Sequence, residues 1–162
     1  MIATTRKSEI EEIIQRYPPE RKKSALLPLL HIAQKENGGW LSVEIMDEVS
    51  EILGIHKIEV YEVASFYSMY HLKPVGKYVL EICRTGPCCN LGAEEIIEYL
   101  EDKLEIQVGE TTADGLFTLK TVECLAACGT GPVLQIGPEY MYHENLDKMK
   151  VDQLIEDLKA KQ

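Results

Sequence analysis

The apolar positions change period partway along the chain, and the change divides it in two. Up to about residue 75 they recur at three- and four-residue intervals, the spacing that gathers side chains on one face of an α-helix. Ile10, Ile13 and Ile14 form the first stripe, behind Ser8-Glu9-Ile10-Glu11, which reads as a capping box with Ser8 as N-cap. Pro18-Pro19 stops that helix and opens the next, since proline suits a first turn. Leu26, Leu27, Leu30 and Ala33 carry the pattern from Glu20 to Asn37. Pro28 lies inside that run, so a kink or a break is expected there. Gly38-Gly39 ends it, and Trp40 reads as a core anchor at the junction. Ser42 is placed to cap a third helix with Ile45, Met46, Val49, Ile52 and Leu53 inward and Gly54 closing it. A fourth, from Lys57 to Ala64, carries Ile58, Tyr61 and Val63 toward Phe66-Tyr67.

Beyond Lys73-Pro74-Val75-Gly76 the pattern shortens to strands. Lys77 to Cys83 reads as the first, and Leu116 to Glu123 as the second. Pro132 to Ile136 and Tyr140 to Tyr142 follow, joined by Gly137-Pro138-Glu139. Between the first two, Asn90 is placed to cap a helix with Leu91, Ile96, Ile97, Leu100 and Leu104 in its stripe. Val151, Leu154, Ile155 and Leu158 mark a last helix. The order β-α-β-β-β-α fits a small α/β sandwich of thioredoxin type. The expected class is therefore α+β, with an N-terminal helical domain over 1–75 and a thioredoxin-like domain over 76–162. If the second domain follows that type, the Gly131–Pro132 bond before the third strand is a candidate for the cis form.

Composition excludes several classes. The 162 residues are 45% hydrophobic and 27% charged, ordinary for a globular protein. No apolar run approaches the roughly 20 residues a membrane helix needs, so direct membrane insertion is not expected. MIATTRKSEIEEII lacks the apolar core of a secretory signal, which points to an intracellular protein. The net charge is −10, and it is uneven: residues 1–75 hold 9 basic and 11 acidic side chains, residues 76–162 hold 8 and 16. Phosphate repulsion makes nucleic acid a poor partner for the second half.

That acidic half contains all five cysteines. Cys83 and Cys88 stand in CRTGPC, and Cys124 and Cys128 in CLAAC, each pair directly after a predicted strand. Four thiolates in two tight pairs can wrap a metal centre. Neither pair is flanked by histidine or has the C-x2-C spacing of zinc ribbons, and a four-Cys set suits a 2Fe-2S cluster. A zinc-stabilised interaction module and a freestanding ferredoxin stay open as alternatives. Gly86-Pro87 and Gly129-Thr130-Gly131 let backbone N–H groups approach the sulfurs, and Arg84, Thr85 and Thr130 could add donors. Cys89 reads as a free thiol. His31, His56, His71 and His143 show no ligand spacing. No phosphate-binding glycine motif and no nucleophile–base arrangement is present, so no catalytic residue is assigned.

Three segments carry a family resemblance: ALLPLLHIAQKENGGWLS, VYEVASFYSMYHLKPVGKYVLEICRTGPC and GETTADGLFTLKTVECLAACGTGPVLQI. They resemble the thioredoxin-like 2Fe-2S subunit of NADH:quinone oxidoreductase, respiratory complex I. The resemblance implies a helical bundle followed by a thioredoxin-like domain, and one 2Fe-2S cluster with Cys83, Cys88, Cys124 and Cys128 as its ligands. It implies an oxidoreductase subunit that transfers electrons but has no complete active site of its own. Its partner would be a flavoprotein subunit carrying FMN and oxidising NADH, in the cytoplasmic peripheral arm of a membrane-associated complex. Similar subunits serve NAD-linked and electron-bifurcating hydrogenases and formate dehydrogenases, and the ligand motif does not separate these settings.

Overall fold

The computed structural model describes residues 2–161. The chain divides into two compact units, one ending at Pro74 and one beginning at Val75.

The first unit is helical. Its elements are α1 (Ile2–Thr5), α2 (Lys7–Gln15), a 3-10 segment (Pro19–Ala25), α3 (Leu26–Glu36), α4 (Val43–Leu53) and α5 (Lys57–Phe66). Ile10, Leu26, Leu29, Leu30, Ala33, Met46, Val49, Leu53, Val60 and Ala64 are buried in a shared core. Ser42 caps α4 by accepting the Ile45 N–H at 3.3 Å, and Gly54 ends it with φ +67°. Such a cap contributes about 1 kcal/mol.

Four local expectations fail in this unit. Ser8 is not an N-cap: α2 starts at Lys7, after Arg6, and continues the turn begun by α1. Pro28 causes no kink, because α3 starts at Leu26 and leaves Pro28 in the first turn, where its missing N–H has no helical partner. The irregularity lies upstream, at Arg21 in the 3-10 segment. Trp40 is only half-buried. Ile58 is 63% exposed, because Val60 and Ala64, one helical turn apart, take the inward face of α5.

The second unit contains β1 (Tyr78–Cys83), α6 (Gly86–Asn90), α7 (Ala93–Leu104), β2 (Phe117–Val122), β3 (Leu134–Gly137), β4 (Met141–His143) and α8 (Lys148–Lys159). Among the described residues its strands form one four-stranded sheet in the order β2-β1-β3-β4. β1 and β2 are parallel, in register from Tyr78↔Phe117 to Cys83↔Val122; β3 is antiparallel to β1, and β4 to β3. Tyr78, Leu80, Ile82, Phe117, Leu119, Leu134 and Ile136 alternate onto one face of the sheet. They are buried together with Ile96 and Leu100 of α7 and with Val151, Ile155 and Leu158 of α8. Burying one such side chain contributes about 1.5–3 kcal/mol, so this layer holds the strand ends in place. Asn90 is not the cap of α7; it closes the short α6, and Gly92 at φ +92° precedes α7. Leu91, in the link between the two helices, is therefore exposed. Gly131–Pro132 is cis, as the fold type suggested, and so is Gly137–Pro138.

Among the described residues no helix is long and apolar enough to cross a membrane.

Candidate metal centre

The parallel pairing of β1 and β2 decides where the cysteines meet. Their last paired residues are Cys83 and Val122, so both strands deliver their loops at the same end of the sheet. The Arg84 N–H donates to the Val122 carbonyl at 3.0 Å, and the Cys83 N–H to Val133 at 3.0 Å. Those bonds tie the two cysteine loops and the chain entering β3 into one corner. Cys83, Cys88, Ala93 and Val133 form a small buried cluster there, with Leu125 and Ala127 packed on it.

The four sulfurs divide into two pairs. Cys83 and Cys88 are each 1% exposed, whereas Cys124 and Cys128 are exposed. Cys88 reaches Cys83 because α6 turns the chain back immediately after β1, with Pro87 in its first turn. Cys124 and Cys128 lie with Sγ atoms 3.4 Å apart, close enough to be adjacent corners of one metal's coordination shell. Among the described residues, no three or more His, Cys, Asp or Glu side chains converge as a site for a single ion.

Donors surround these sulfurs. Burial pushes the Cys83 thiol up, but hydrogen bonds from the Thr85 hydroxyl and backbone, from Cys88 and from the Leu125 backbone outweigh it. Cys83 therefore lies below the ordinary thiol range. The Thr85 hydroxyl is 3.2 Å from Cys83 Sγ. Cys88 is pushed up to about 11, first by burial and then by sharing a proton with Cys83. Cys128 is raised by its hydrogen bond with Cys124, by the charge of Cys124 and by burial, with a further contribution from the charge of Cys83. In the first pair, then, Cys83 is the readier to ionise. The Ala126 N–H points at Cys124 Sγ at 3.3 Å. These are the features of a thiolate metal centre, whose negative charge is offset by backbone N–H groups.

Cys89 faces elsewhere: its thiol donates to the Arg84 carbonyl at 3.1 Å. Thr130 does not serve the sulfurs either, because its hydroxyl donates to Glu144 at 2.7 Å and lies 3.2 Å from the Ala127 carbonyl. The donors that sequence reading missed are the backbone groups of Leu125, Ala126 and Val133. A peptide N–H carries no residue-type signal, and Ala126 reaches its position at φ +61° without the glycine or asparagine that would mark it.

Among the described residues, Glu81 is the one acidic side chain buried in the sheet. It shares a cross-strand row with Lys120, Gln135 and Tyr142, two residues before Cys83. Burial pushes its carboxyl up, against the pull of Lys120 Nζ at 3.7 Å.

The donor set suits an iron–sulfur cluster of two metal atoms: four thiols in two pairs, with N–H donors on the sulfurs and a glycine, Gly131, where a side chain would crowd one of them. A Cβ on Gly131 would lie 3.3 Å from Cys88 Sγ.

Comparison with known proteins agrees with this chemistry. Residues 10–159 match the model of the thioredoxin-like [2Fe-2S] ferredoxin family. The chain is 47% identical over 146 residues to the E subunit of NADH-quinone oxidoreductase from Rickettsia typhi, spanning 90% of this chain and 85% of that one. It is 46% identical over 156 residues to a Rhizobium meliloti counterpart, the E 2 subunit of the same oxidoreductase, spanning 96% and 90%. Among solved structures, a NAD+-reducing [NiFe]-hydrogenase superposes with a TM-score of 0.70 at 23% identity, over 82% of this chain and 23% of that one. That last likeness is one of fold. The chain belongs to the thioredoxin-like [2Fe-2S] ferredoxin family.

Proposed function

We propose that this member of the thioredoxin-like [2Fe-2S] ferredoxin family is the electron-transfer subunit of the NADH-dehydrogenase module of an NADH:quinone oxidoreductase. Cys83, Cys88, Cys124 and Cys128 would hold one 2Fe-2S cluster. Bound there, it would supply one-electron transfer. The observation that carries the reading is the parallel β1–β2 pair, which ends both strands at one corner and sets a cysteine pair on each. The identity to the Rickettsia and Rhizobium oxidoreductase subunits, over nearly their whole length, supports the choice of parent complex.

The chain's own residues supply the setting. Buried Cys83 and Cys88 anchor the cluster on the sheet end, and exposed Cys124 and Cys128 form its outward side. Thr85, Leu125, Ala126 and Val133 donate to the sulfurs and offset their charge. Hydride chemistry belongs to a partner: a flavoprotein subunit that binds FMN and NADH and docks where the outward pair is accessible. The subunit sits in the cytoplasmic peripheral arm of the complex and does not insert into the membrane.

Anaerobic purification tests the reading. Two irons and two acid-labile sulfides per chain, a red-brown colour, and co-purification with a flavoprotein are expected. A colourless chain with one zinc would replace the cluster by a structural metal. A coloured chain that never associates with a flavoprotein would make it a freestanding carrier.

A further inference from the structure

The Leu125–Ala126 peptide unit is held from both sides. Its N–H, belonging to Ala126, points at Cys124 Sγ at 3.3 Å. Its carbonyl, belonging to Leu125, accepts the Tyr142 hydroxyl at 2.9 Å. A donor on the carbonyl polarises the amide and makes its N–H a stronger donor in turn. The unit also needs holding, because Ala126 sits at φ +61°, where a residue with a Cβ is disfavoured. Tyr142 comes from the edge strand β4. The register places it in the row Glu81–Gln135–Tyr142, so its side chain rises on the face that Cys83 shares two residues beyond Glu81. A phenol can span from that strand to the cysteine loop and still present a hydroxyl at the end.

We propose that Tyr142 is a positioning residue for the metal centre: its hydroxyl fixes and polarises the Leu125–Ala126 peptide, aims the Ala126 N–H at Cys124 Sγ, and so raises the centre's midpoint potential. The proposal rests on the cluster reading above. Reduction adds one electron and increases the negative charge on the sulfurs, so an N–H donor stabilises the reduced form more than the oxidised one. Removing the hydroxyl weakens that donor and shifts the balance toward the oxidised form.

The test is a dithionite titration of the cluster-loaded full-length chain, followed by electron paramagnetic resonance, for wild type and Tyr142→Phe. Phenylalanine keeps the ring, so a role in packing alone leaves the midpoint where it was. The expected result is a downward shift equivalent to about a threefold change in the oxidised-to-reduced ratio. At 59 mV per tenfold for one electron this is about 28 mV. The iron content and visible spectrum should stay those of the wild type. An unchanged or higher midpoint overturns the proposal. If Tyr142→Phe does not retain the cluster, 3-fluorotyrosine at position 142 takes its place. Its more acidic hydroxyl is the stronger donor and should raise the midpoint; no rise overturns the proposal. Cys124→Ser, run in parallel, separates the two readings. If that variant keeps the spectrum unaltered, the ligand assignment fails. If it loses the spectrum while the change at Tyr142 leaves the midpoint in place, only the role of Tyr142 fails.

Discussion

Gly131 packs its backbone directly against Cys88: a Cβ added to it would lie 3.3 Å from the Cys88 sulfur and 3.0 Å from Leu91 Cδ1. Its φ of −65° and ψ of 160° are open to any residue, so the glycine is there for space and not for conformation. Leu91 is exposed and can move aside. Cys88 is held in the buried corner and cannot move without leaving its partner. Gly131→Ala should therefore leave the apo fold intact by circular dichroism but reduce iron retention and speed bleaching in air. Wild-type iron content and bleaching rate in the variant would show that the sulfur has room.

The ligand assignment separates two adjacent residues. Cys88 lies in the buried pair, whereas the Cys89 thiol is engaged with the Arg84 carbonyl. Single Cys→Ser changes at 83, 88, 124 and 128 should each abolish or severely alter the visible spectrum. Cys89→Ser should keep it, because a serine hydroxyl can donate to the same carbonyl. Loss of the cluster in Cys89→Ser with retention in Cys88→Ser would exchange their roles.

Ala126 holds a backbone conformation that suits glycine. Ala126→Gly removes the cost of a Cβ in the left-handed region, roughly 1–2 kcal/mol, and adds an unfolded-state entropy cost of roughly 0.5–1 kcal/mol. The net expectation is a stabilisation of up to about 1.5 kcal/mol, read from urea unfolding of the apo chain, with the cluster retained. Ala126→Val should do the opposite on both counts, since β-branching makes that region less accessible still.

Glu81 makes stability depend on pH in a definite direction. Burial raises its carboxyl above the ordinary range, so the folded state holds the proton more tightly than the unfolded state does. The contribution is fully present below the unfolded value, near about pH 4.3, and is lost as pH rises through the higher folded value. Glutamine keeps the shape without the charge, and Lys120, a quarter exposed, can turn to water. Glu81→Gln should raise the apo chain's thermal midpoint at about pH 7, and the gain should shrink toward about pH 4. An equal gain at both pH values would assign the effect to packing.

The periodic information was legible from residues alone. Helical spacing marked α3, α4, α5 and α8. Ser42 and Gly54 marked the ends of α4, and strand runs placed β1 and β2 immediately before the two cysteine pairs. These signals are local: they depend on side-chain spacing and on caps within one turn. The same spacing singled out four cysteines of the five as candidates. Tertiary structure decided the rest. Parallel pairing of β1 with β2, which no local signal encodes, brings two loops about 40 residues apart in sequence to one corner. Burial then made the pairs unequal, with Cys83 and Cys88 enclosed and Cys124 and Cys128 outward. Backbone groups became the main sulfur donors, and neither an N–H nor the left-handed turn at Ala126 leaves a mark in residue type. Tyr142 reaches the Leu125 carbonyl from 17 residues away only because β4 lies at the sheet edge beside β3. Residue pattern determines which segments are helix, strand or thiol-bearing loop, since those choices are made by neighbours. Which thiol is buried, and which donor points at it, depends on chain segments that meet only when the sheet has formed.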